Sequence, residues 1–217
     1  MLKAIFFDMD GVISNTQKYH IISWRKAFAK YGLKLKKLEV ALLEGMSYAE
    51  TTDLVCERYN LNLSLKEKNE LIKYREKVMD KVFRLKLFGI KRDLDKLKQK
   101  GLKLALVTGS NRHTIHKVLD ENFPNIFDEV VSGDDVKHGK PSIEPYKKAF
   151  EKFNFKKHEV LVVENAPLGI LSAKNFGLTV FALTTTLPKK YLSGADKIFR
   201  SHKRLFMNLS DLTHITP

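Results

Sequence analysis

The stretch Lys3–Val12, KAIFFDMDGV, decides the fold of this chain. Its apolar run is unbroken from Ala4 to Phe7 and ends in two aspartates one residue apart, Asp8 and Asp10, followed by a glycine. An apolar run without alternation is typical of a strand buried on both faces, as in the centre of a parallel sheet. We therefore predict that both carboxylates lie at the carboxyl edge of such a sheet, where open α/β folds bind ligands.

Two acidic groups at a sheet edge are costly unless a cation or a proton-transfer role accounts for them. Alone they have a simpler explanation, since Asp-Gly commonly ends a strand and begins a turn. Three later segments, each next to a predicted strand or helix, favour the functional explanation. They are Val107–Asn111 (VTGSN), Lys140–Pro141 and Val163–Ala166 (VENA).

This ordered set of motifs resembles the haloacid dehalogenase superfamily, and within it the branch that contains β-phosphoglucomutase and phosphoglycolate phosphatase. The segment Phe7–Val12 matches the first motif of that branch, and Thr16, His20 and Trp24 follow at spacings familiar from β-phosphoglucomutase. The resemblance covers nearly the whole chain. It implies a core domain formed by residues 1–15 and 84–217 and an inserted, all-helical cap domain formed by residues 16–83.

The patterns along the chain agree with that organisation. Residues 17–31, 46–59 and 65–82 have helical patterns, and strands and helices alternate afterwards, which is typical of a doubly wound parallel sheet in an α/β fold. Ser14–Thr16 supplies candidates for the cap of the first helix. The chain crosses between the two domains near Ser14–Thr16 and near Leu85–Gly89, and we expect these crossings to be hinges.

Composition sets further limits. The net charge of +14 over 217 residues would attract nucleic acid or phosphate esters. The lysines are spread over many predicted helices, so a solvated surface is the simpler explanation and nucleic-acid binding is not favoured. No apolar run approaches the ~20 residues that span a bilayer, and Cys56 has no second cysteine to pair with. We expect a cytoplasmic monomer without membrane contact, in which Cys56 is a small core residue.

The resemblance implies a role for each motif. Asp8 would be the nucleophile that forms an aspartyl-phosphate, and Asp10 would be the general acid and base. Thr108, Gly109 and Ser110 would bind the phosphate at the start of a helix. Lys140 would bridge the phosphate and Asp8, although a lone lysine is more commonly a solvated surface group.

Phosphoryl transfer between anions requires a cation, and oxygen ligands suit Mg²⁺. By resemblance, Asp8, Asp10 and an acid after the fourth strand would hold it. Asn165 stands where that acid is expected, with Glu164 before it, so either residue is a candidate for the third ligand. Asn165 has an alternative as the cap of the next helix.

Cap residues would select the substrate. Around Gly45, Glu44 and Tyr48 replace a lysine and an arginine that β-phosphoglucomutase would carry, which argues against a mutase because it must hold a second phosphate. His20 and Arg75 resemble a pair that couples cap closure to the acid and base in that mutase. They have simpler explanations as a helix histidine and a surface charge.

These inferences predict a Mg²⁺-dependent phosphatase that acts on a small phosphorylated metabolite, of the sugar phosphate or phosphoglycolate type. A sugar-phosphate mutase that uses the same aspartyl-phosphate is the alternative. The substitution at Asn165 and the high charge also leave a non-catalytic or nucleic-acid-binding scaffold open.

Overall fold

A computed structural model of the protein describes residues 1–120 and 122–213. In this part of the chain, six strands form one sheet: β1 (Ala4–Phe7), β2 (Lys103–Val107), β3 (Glu129–Val131), β4 (Val160–Glu164), β5 (Thr179–Leu183) and β6 (Lys197–Phe199). The α-helices are α1 (Gln17–Ala29), α2 (Lys37–Ala41), α3 (Tyr48–Arg58), α4 (Leu65–Val82), α5 (Lys91–Gln99), α6 (Arg112–Leu119), α7 (Glu144–Phe150), α8 (Pro167–Phe176) and α9 (His202–Thr213). Short 3₁₀ helices cover Gly133–Asp135, Lys157–Glu159 and Lys189–Tyr191.

The sheet is parallel throughout, with strand order β3-β2-β1-β4-β5-β6. Phe7, the last residue of β1, is in register with Leu106 of β2 and Val163 of β4. The three strands therefore end at the same level, and the residues that follow them meet at one edge. The predicted doubly wound α/β fold is confirmed.

Strand β1 is buried on both faces, as its unbroken apolar run predicts. Ile5 and Phe7 belong to one apolar cluster, Ala4 and Phe6 to the cluster on the opposite face, and all four side chains are 0% exposed. Because helices cover both faces, the polar ends of the strands are the part of the sheet that remains free to bind a ligand.

Helices α1 to α4 form a separate layer with its own apolar cluster, which includes Trp24, Phe28 and Leu71. Cys56 is buried in this cluster, as predicted. At the two crossings to the sheet, the Asn15 amide donates to the carbonyl of Lys86 at 2.8 Å, so the connections run side by side. Within the described ranges, no helix has both the length and the apolar character needed to cross a membrane.

Several predicted element ends differ from the structure; the predicted helices over residues 17–31 and 46–59, for example, are observed as Gln17–Ala29 and Tyr48–Arg58. The sequence pattern predicts a helix over Ile143–Phe153, but α7 ends at Phe150, because the amides of Lys152 and Phe153 bond three residues back and tighten the chain into a turn. Thr16 stands at the start of α1, but its hydroxyl does not cap the helix. It donates to Asp10 instead. The sequence pattern also predicts helices over Arg112–Glu121 and from Lys203 onward, and of these Glu121 and residues 214–217 lie outside the described residues.

Candidate active site

Asp8 and Lys140 form the centre of the site at the end of β1. The Lys140 ammonium contacts Asp8 Oδ1 at 2.7 Å, Glu164 Oε1 at 2.7 Å and the Val107 carbonyl at 2.9 Å. Lys140 is 1% exposed, so it is not a surface lysine. Burial works against its charge, but Asp8 and Glu164 raise the pKa of Lys140 well above 10.5, which keeps the ammonium protonated.

Asp10 is held by side chains from three directions. Its Oδ2 accepts from the Ser110 hydroxyl at 2.9 Å, and its Oδ1 accepts from the Thr16 hydroxyl and lies 3.1 Å from His20 Nε2. Burial works against ionisation of Asp10, but His20, Thr16 and Ser110 lower its pKa to about 2. These contacts explain how two carboxylates one residue apart acquire different surroundings.

The phosphate-binding residues predicted after β2 are brought to the same place. Thr108 and Ser110 are buried, and the Ser110 amide donates to Thr108 Oγ1 at 3.1 Å. Because Thr108 Oγ1 accepts that bond, its own hydrogen remains available for another acceptor. Helix α6 begins just beyond, capped by Asn111, so the segment combines a hydroxyl with the positive end of a helix.

Glu164 and Asn165 have different roles in the structure. Glu164 Oε1 accepts from Lys140 and from the Tyr146 hydroxyl at 2.7 Å, and Glu164 Oε2 accepts from the Asn165 amide at 3.0 Å. Both Glu164 oxygens are thus already bonded. Asn165 does not cap α8, because Ala166 occupies that position.

Three buried oxygens in the site lack hydrogen-bond partners: Asp8 Oδ2 and Asn165 Oδ1 at the sheet edge, and the Tyr48 hydroxyl in the cap. Asn165 Nδ2 donates to Thr186 Oγ1 at 2.9 Å and to Glu44 Oε1 at 3.3 Å, which assigns Oδ1 as the free acceptor. Unpaired buried acceptors are costly, and a carboxylate and an amide oxygen are suitable ligands for Mg²⁺. The residues present therefore fit the cation that the sequence predicts.

The excess of carboxylates over basic groups in the site also favours a bound cation. The carboxylates of Asp8, Asp10, Glu44 and Glu164 lie close enough to act on one another, and the buried Lys140 ammonium contacts two of them, Asp8 and Glu164. Burial raises the pKa of Asp8 well above 3.8, and Glu164 and Asp10 add to this rise. No group of three His, Cys, Asp or Glu side chains in the described ranges is arranged to hold a metal, because an asparagine stands at the third position.

From the cap, Glu44 reaches the site. Its Oε2 accepts from Gln17 Nε2 at 2.6 Å, and burial together with the charges of Asp8 and Asp10 raises the pKa of Glu44 well above 4.5. Gly45 follows with φ +99°, and a Cβ there would lie 2.8 Å from Lys140 Cδ. The cap can therefore approach the buried lysine only because residue 45 is glycine.

Arg75 is a buried cap residue and not a surface charge. It is 0% exposed, its guanidinium lies 4.0 Å from the centre of the Tyr48 ring and 5.3 Å from that of Trp24, and its Nη2 contacts His20 Nδ1. Because a guanidinium only donates, His20 Nδ1 accepts and Nε2 carries the proton that faces Asp10. The structure thus joins Arg75, His20 and Asp10 in one chain of contacts.

Sequence reasoning did not identify Gln17, Tyr146 or Thr186 as parts of the site. Gln17 orients Glu44, Tyr146 bonds Glu164, and Thr186 bonds Asn165. Each acts on a residue at least 18 positions away in the chain. No local pattern marks such partners, since they are brought together only by the tertiary fold.

Comparisons with known proteins identify the family of the chain. Residues 5–183 match the model of the haloacid dehalogenase-like hydrolase family. The chain is 27% identical over 179 residues to a phosphorylated carbohydrates phosphatase of Thermotoga maritima, covering 82% of each chain. It is 29% identical over 209 residues to (DL)-glycerol-3-phosphatase 1 of Arabidopsis thaliana, covering 91% of this chain and 69% of that protein.

Among solved structures, a candidate β-phosphoglucomutase from Bacteroides vulgatus superimposes with a TM-score of 0.90 and 32% identity, covering 99% of this chain and 91% of that one. The family model spans the strands that carry Asp8, Thr108 and Glu164. This protein belongs to the haloacid dehalogenase-like hydrolase family and is a phosphatase-type enzyme, a phosphoric monoester hydrolase.

Proposed function

We propose that this protein is a Mg²⁺-dependent phosphatase that hydrolyses a small phosphorylated metabolite through an aspartyl-phosphate on Asp8. The observation that carries the proposal is the state of the Asp8 carboxylate. Lys140 holds one oxygen, and the other is buried without a hydrogen-bond partner at the end of the central strand. That oxygen suits a nucleophile, because Lys140 fixes the carboxylate through Oδ1 while Oδ2 makes no hydrogen bond.

In the first step, Asp8 Oδ2 attacks the phosphorus atom while the bond from phosphorus to the ester oxygen breaks. Asp10 donates a proton to the leaving oxygen. In the free site Asp10 is ionised, since its pKa is about 2. The negative charge of a bound phosphate ester raises that pKa, so Asp10 acquires the proton that it donates.

In the second step, a water molecule attacks the phosphorus of the aspartyl-phosphate. Asp10, now a carboxylate, takes a proton from this water, and the bond between phosphorus and Asp8 breaks to release inorganic phosphate. His20 holds Asp10 in place through both steps. One group thus serves as acid and then as base, as a two-step displacement requires.

The remaining residues stabilise charge. Lys140 keeps Asp8 and the phosphoryl oxygens together, and the Thr108 hydroxyl and the amides of Gly109 and Ser110 bind those oxygens. Asn165 Oδ1, the carbonyl of Asp10 and the Asp8 oxygen that does not attack would hold Mg²⁺, with Glu164 behind them bonded to Lys140. Bound there, Mg²⁺ would keep Asp8 ionised and offset the charge of the transferred phosphoryl group.

The test is phosphate release from a panel of small phosphate esters, with and without Mg²⁺, for the natural chain and for Asp8→Asn. We expect release that requires Mg²⁺ and that falls by at least about 10⁴-fold in Asp8→Asn, as for loss of a nucleophile. Asp53→Asn, an exposed position in the cap, is the matched control. Full turnover in Asp8→Asn would contradict the assigned role.

A sugar-phosphate mutase is the second candidate, and the contacts joining Arg75, His20 and Asp10 favour it. Incubation with a hexose 1-phosphate, the corresponding hexose bisphosphate and Mg²⁺ separates the two activities. Isomerised sugar phosphate would establish the mutase. Free phosphate alone, with no isomer, would establish the phosphatase.

A further inference from the structure

The closed cap and the sheet edge enclose a cavity above Asp8 and Asp10. The volume open to the centre of a water molecule is only about 50 Å³, so the cap has to open for a substrate to enter. Three carboxylates line the cavity: those of Asp8, Asp10 and Glu44. Among the described residues that line it, none is lysine or arginine, although the whole chain has a net charge of +14.

Glu44 cannot easily retreat from the cavity. Gln17 Nε2 holds one of its oxygens at 2.6 Å, and Asn165 Nδ2 holds the other at 3.3 Å. An aspartate at position 165 would place a second carboxylate against Glu44, whereas the amide of Asn165 donates to it. The carboxylate of Glu44 is therefore a fixed part of the wall.

The lysine and the arginine nearest the cavity both lie outside its wall, although Arg75 keeps Nε and Nη1 without hydrogen-bond partners. Lys140 lies behind Asp8 and contacts Asp8, Glu164 and the Val107 carbonyl. Arg75 lies over the rings of Tyr48 and Trp24. Neither belongs to the cavity wall, so a second negative group on a substrate would meet Glu44 without a cation to balance it.

We propose that Glu44 makes this site selective for phosphate monoesters whose alcohol portion donates hydrogen bonds and carries no negative charge. Hydroxyl and ammonium groups share this property, because both donate to a carboxylate. Both oxygens of Glu44 accept hydrogen bonds, from Gln17 and Asn165, as those of an ionised carboxylate do, and its repulsion rejects esters with a second carboxylate or phosphate. The proposal rests on the phosphatase function proposed above and narrows its range of substrates. Phosphoglycolate and sugar bisphosphates are excluded from that range.

Binding is measured first, in Asp8→Asn, so that turnover does not interfere. Trp24 lines the cavity and is the sole tryptophan, so its fluorescence reports occupation of the site. The probes are glycerol 3-phosphate, O-phosphoethanolamine and phosphoglycolate, each in the presence of Mg²⁺. We expect glycerol 3-phosphate or O-phosphoethanolamine to bind at least about tenfold more tightly than phosphoglycolate, and the better of the two identifies the preferred donor.

The Glu44→Gln variant then isolates the charge, since glutamine keeps the shape and an acceptor for Gln17. In Asp8→Asn/Glu44→Gln we expect the preference against phosphoglycolate to fall to within about threefold. Glu57→Gln, an exposed cap position, removes the same charge outside the cavity and should leave the preference unchanged. Glu44→Lys should reverse the preference, and circular dichroism checks that each variant is folded.

The two proposals fail in different ways. Equal binding of the three esters, or a preference that survives Glu44→Gln, overturns the role of Glu44 even if the natural chain hydrolyses phosphate esters. Selective binding without phosphate release from any ester contradicts the proposed phosphatase activity but supports the proposed role of Glu44 in selective binding. Absence of both binding and release overturns both.

Discussion

At the residue scale, Lys140 is a buried charge on which both the site and the stability of the fold depend. A buried ammonium is stable only where its desolvation is offset by close partners. Asp8, Glu164 and a main-chain carbonyl provide them, and each carboxylate needs Lys140 in return. The triad is thus both part of the site and part of the core, and we expect changes in it to affect activity and stability together.

Lys140→Met should lower the free energy of unfolding by about 3–5 kcal/mol, since it leaves two buried carboxylates without a counter-charge. Urea unfolding followed by circular dichroism measures the change. Lys140→Met/Glu164→Gln should recover part of the loss, because only Asp8 then remains uncompensated. Lys147→Met, at an exposed position, should stay within about 0.5 kcal/mol of the natural chain. An equally small effect of Lys140→Met would show that the triad is not coupled in this way.

Asn165→Asp tests the metal site without measuring turnover. The change removes the amide that donates to Glu44 and Thr186 and brings a carboxylate close to Glu44, so the metal-free protein should melt at a lower temperature. Mg²⁺ should raise the melting temperature more in Asn165→Asp than in the natural chain, because a ligand that binds only the folded state stabilises it in proportion to its affinity.

The control for this measurement is Asn62→Asp, at an exposed position in the cap. It adds the same charge away from the site and should leave the response to Mg²⁺ unchanged. If Asn165→Asp responded to Mg²⁺ no more than Asn62→Asp does, Asn165 would not be a ligand, and Glu164 would be the remaining candidate.

At the scale of elements, α9 is joined to the loop that follows the two aspartates. His202, the first residue of α9, bonds the Val12 carbonyl through Nε2 at 2.7 Å and packs on Phe88 of the second crossing, with ring centres 4.3 Å apart. Asp93 of α5 faces the same ring, and burial lowers the pKa of His202 below 6.5 despite that charge. His202 therefore connects helix α9 with the loop after β1 and with the predicted hinge at Leu85–Gly89.

This contact makes stability depend on pH. Because the pKa of His202 is lower in the folded state, the unfolded chain binds more protons below pH 6.5, and stability is lost as pH falls through that value toward the folded-state pKa. We expect the free energy of urea unfolding to decrease between pH 7.5 and pH 5.5, and to decrease less in His202→Gln. His116→Gln, which changes an exposed histidine, should retain the full decrease. Identical pH dependence in both variants would exclude His202 as the source.

At the scale of the whole molecule, the cap is held on the core by contacts outside the cavity. Asn111 Nδ2 donates to Glu76 Oε1 at 2.7 Å, and Lys117 donates to Asp80, both between α4 and α6. The Gly139 amide donates to Glu50 Oε2 at 2.9 Å. Such partly exposed bonds are individually weak, which suits the opening of the cap that the proposed function requires.

Glu76→Ala/Asp80→Ala should therefore favour the open cap without unfolding the protein. Trp24, which is 5% exposed in the closed form, should become more accessible to acrylamide quenching. The free energy of unfolding should change by less than about 1 kcal/mol. Glu57→Ala/Glu70→Ala, at two exposed cap positions, provides the control with equal charge. Unchanged quenching in Glu76→Ala/Asp80→Ala would show that these contacts do not hold the cap closed.

The charge of the whole molecule is distributed differently from the charge of the site. Basic side chains pair with acidic ones around the core, for example Lys98 and Lys103 with Asp128, and Lys174 with Asp196. The cavity is lined by carboxylates. The net charge of +14 is therefore a surface property, and it does not describe what the site binds.

Much of the fold was predictable because its signals are local. The apolar run before Asp8 forms a strand buried on both faces. The Leu65–Val82 helix begins after its capping residue Ser64, and the Pro167–Phe176 helix begins at a proline and ends before Gly177. Asp8, Asp10 and Thr108 could be predicted as a group because residues after parallel strands meet at one edge, whereas Lys140 was added by the resemblance of the motif order to the family. The cap of α1 could not, because the Thr16 hydroxyl had a stronger acceptor in Asp10 than in its own helix.

By itself, the sequence determined the parallel sheet, the helical layer inserted after its first strand, and the residues that meet at the sheet edge, because each depends on periodicity or on order along the chain. Only the tertiary structure decided that Arg75 is buried, that the oxygens of Glu164 are already bonded while Asn165 Oδ1 is free, and that Glu44 faces the site. The physical reason is that burial and hydrogen-bond pairing depend on residues more than a hundred positions apart, such as Glu44 and Asn165, and no local pattern records which partner each polar atom will find.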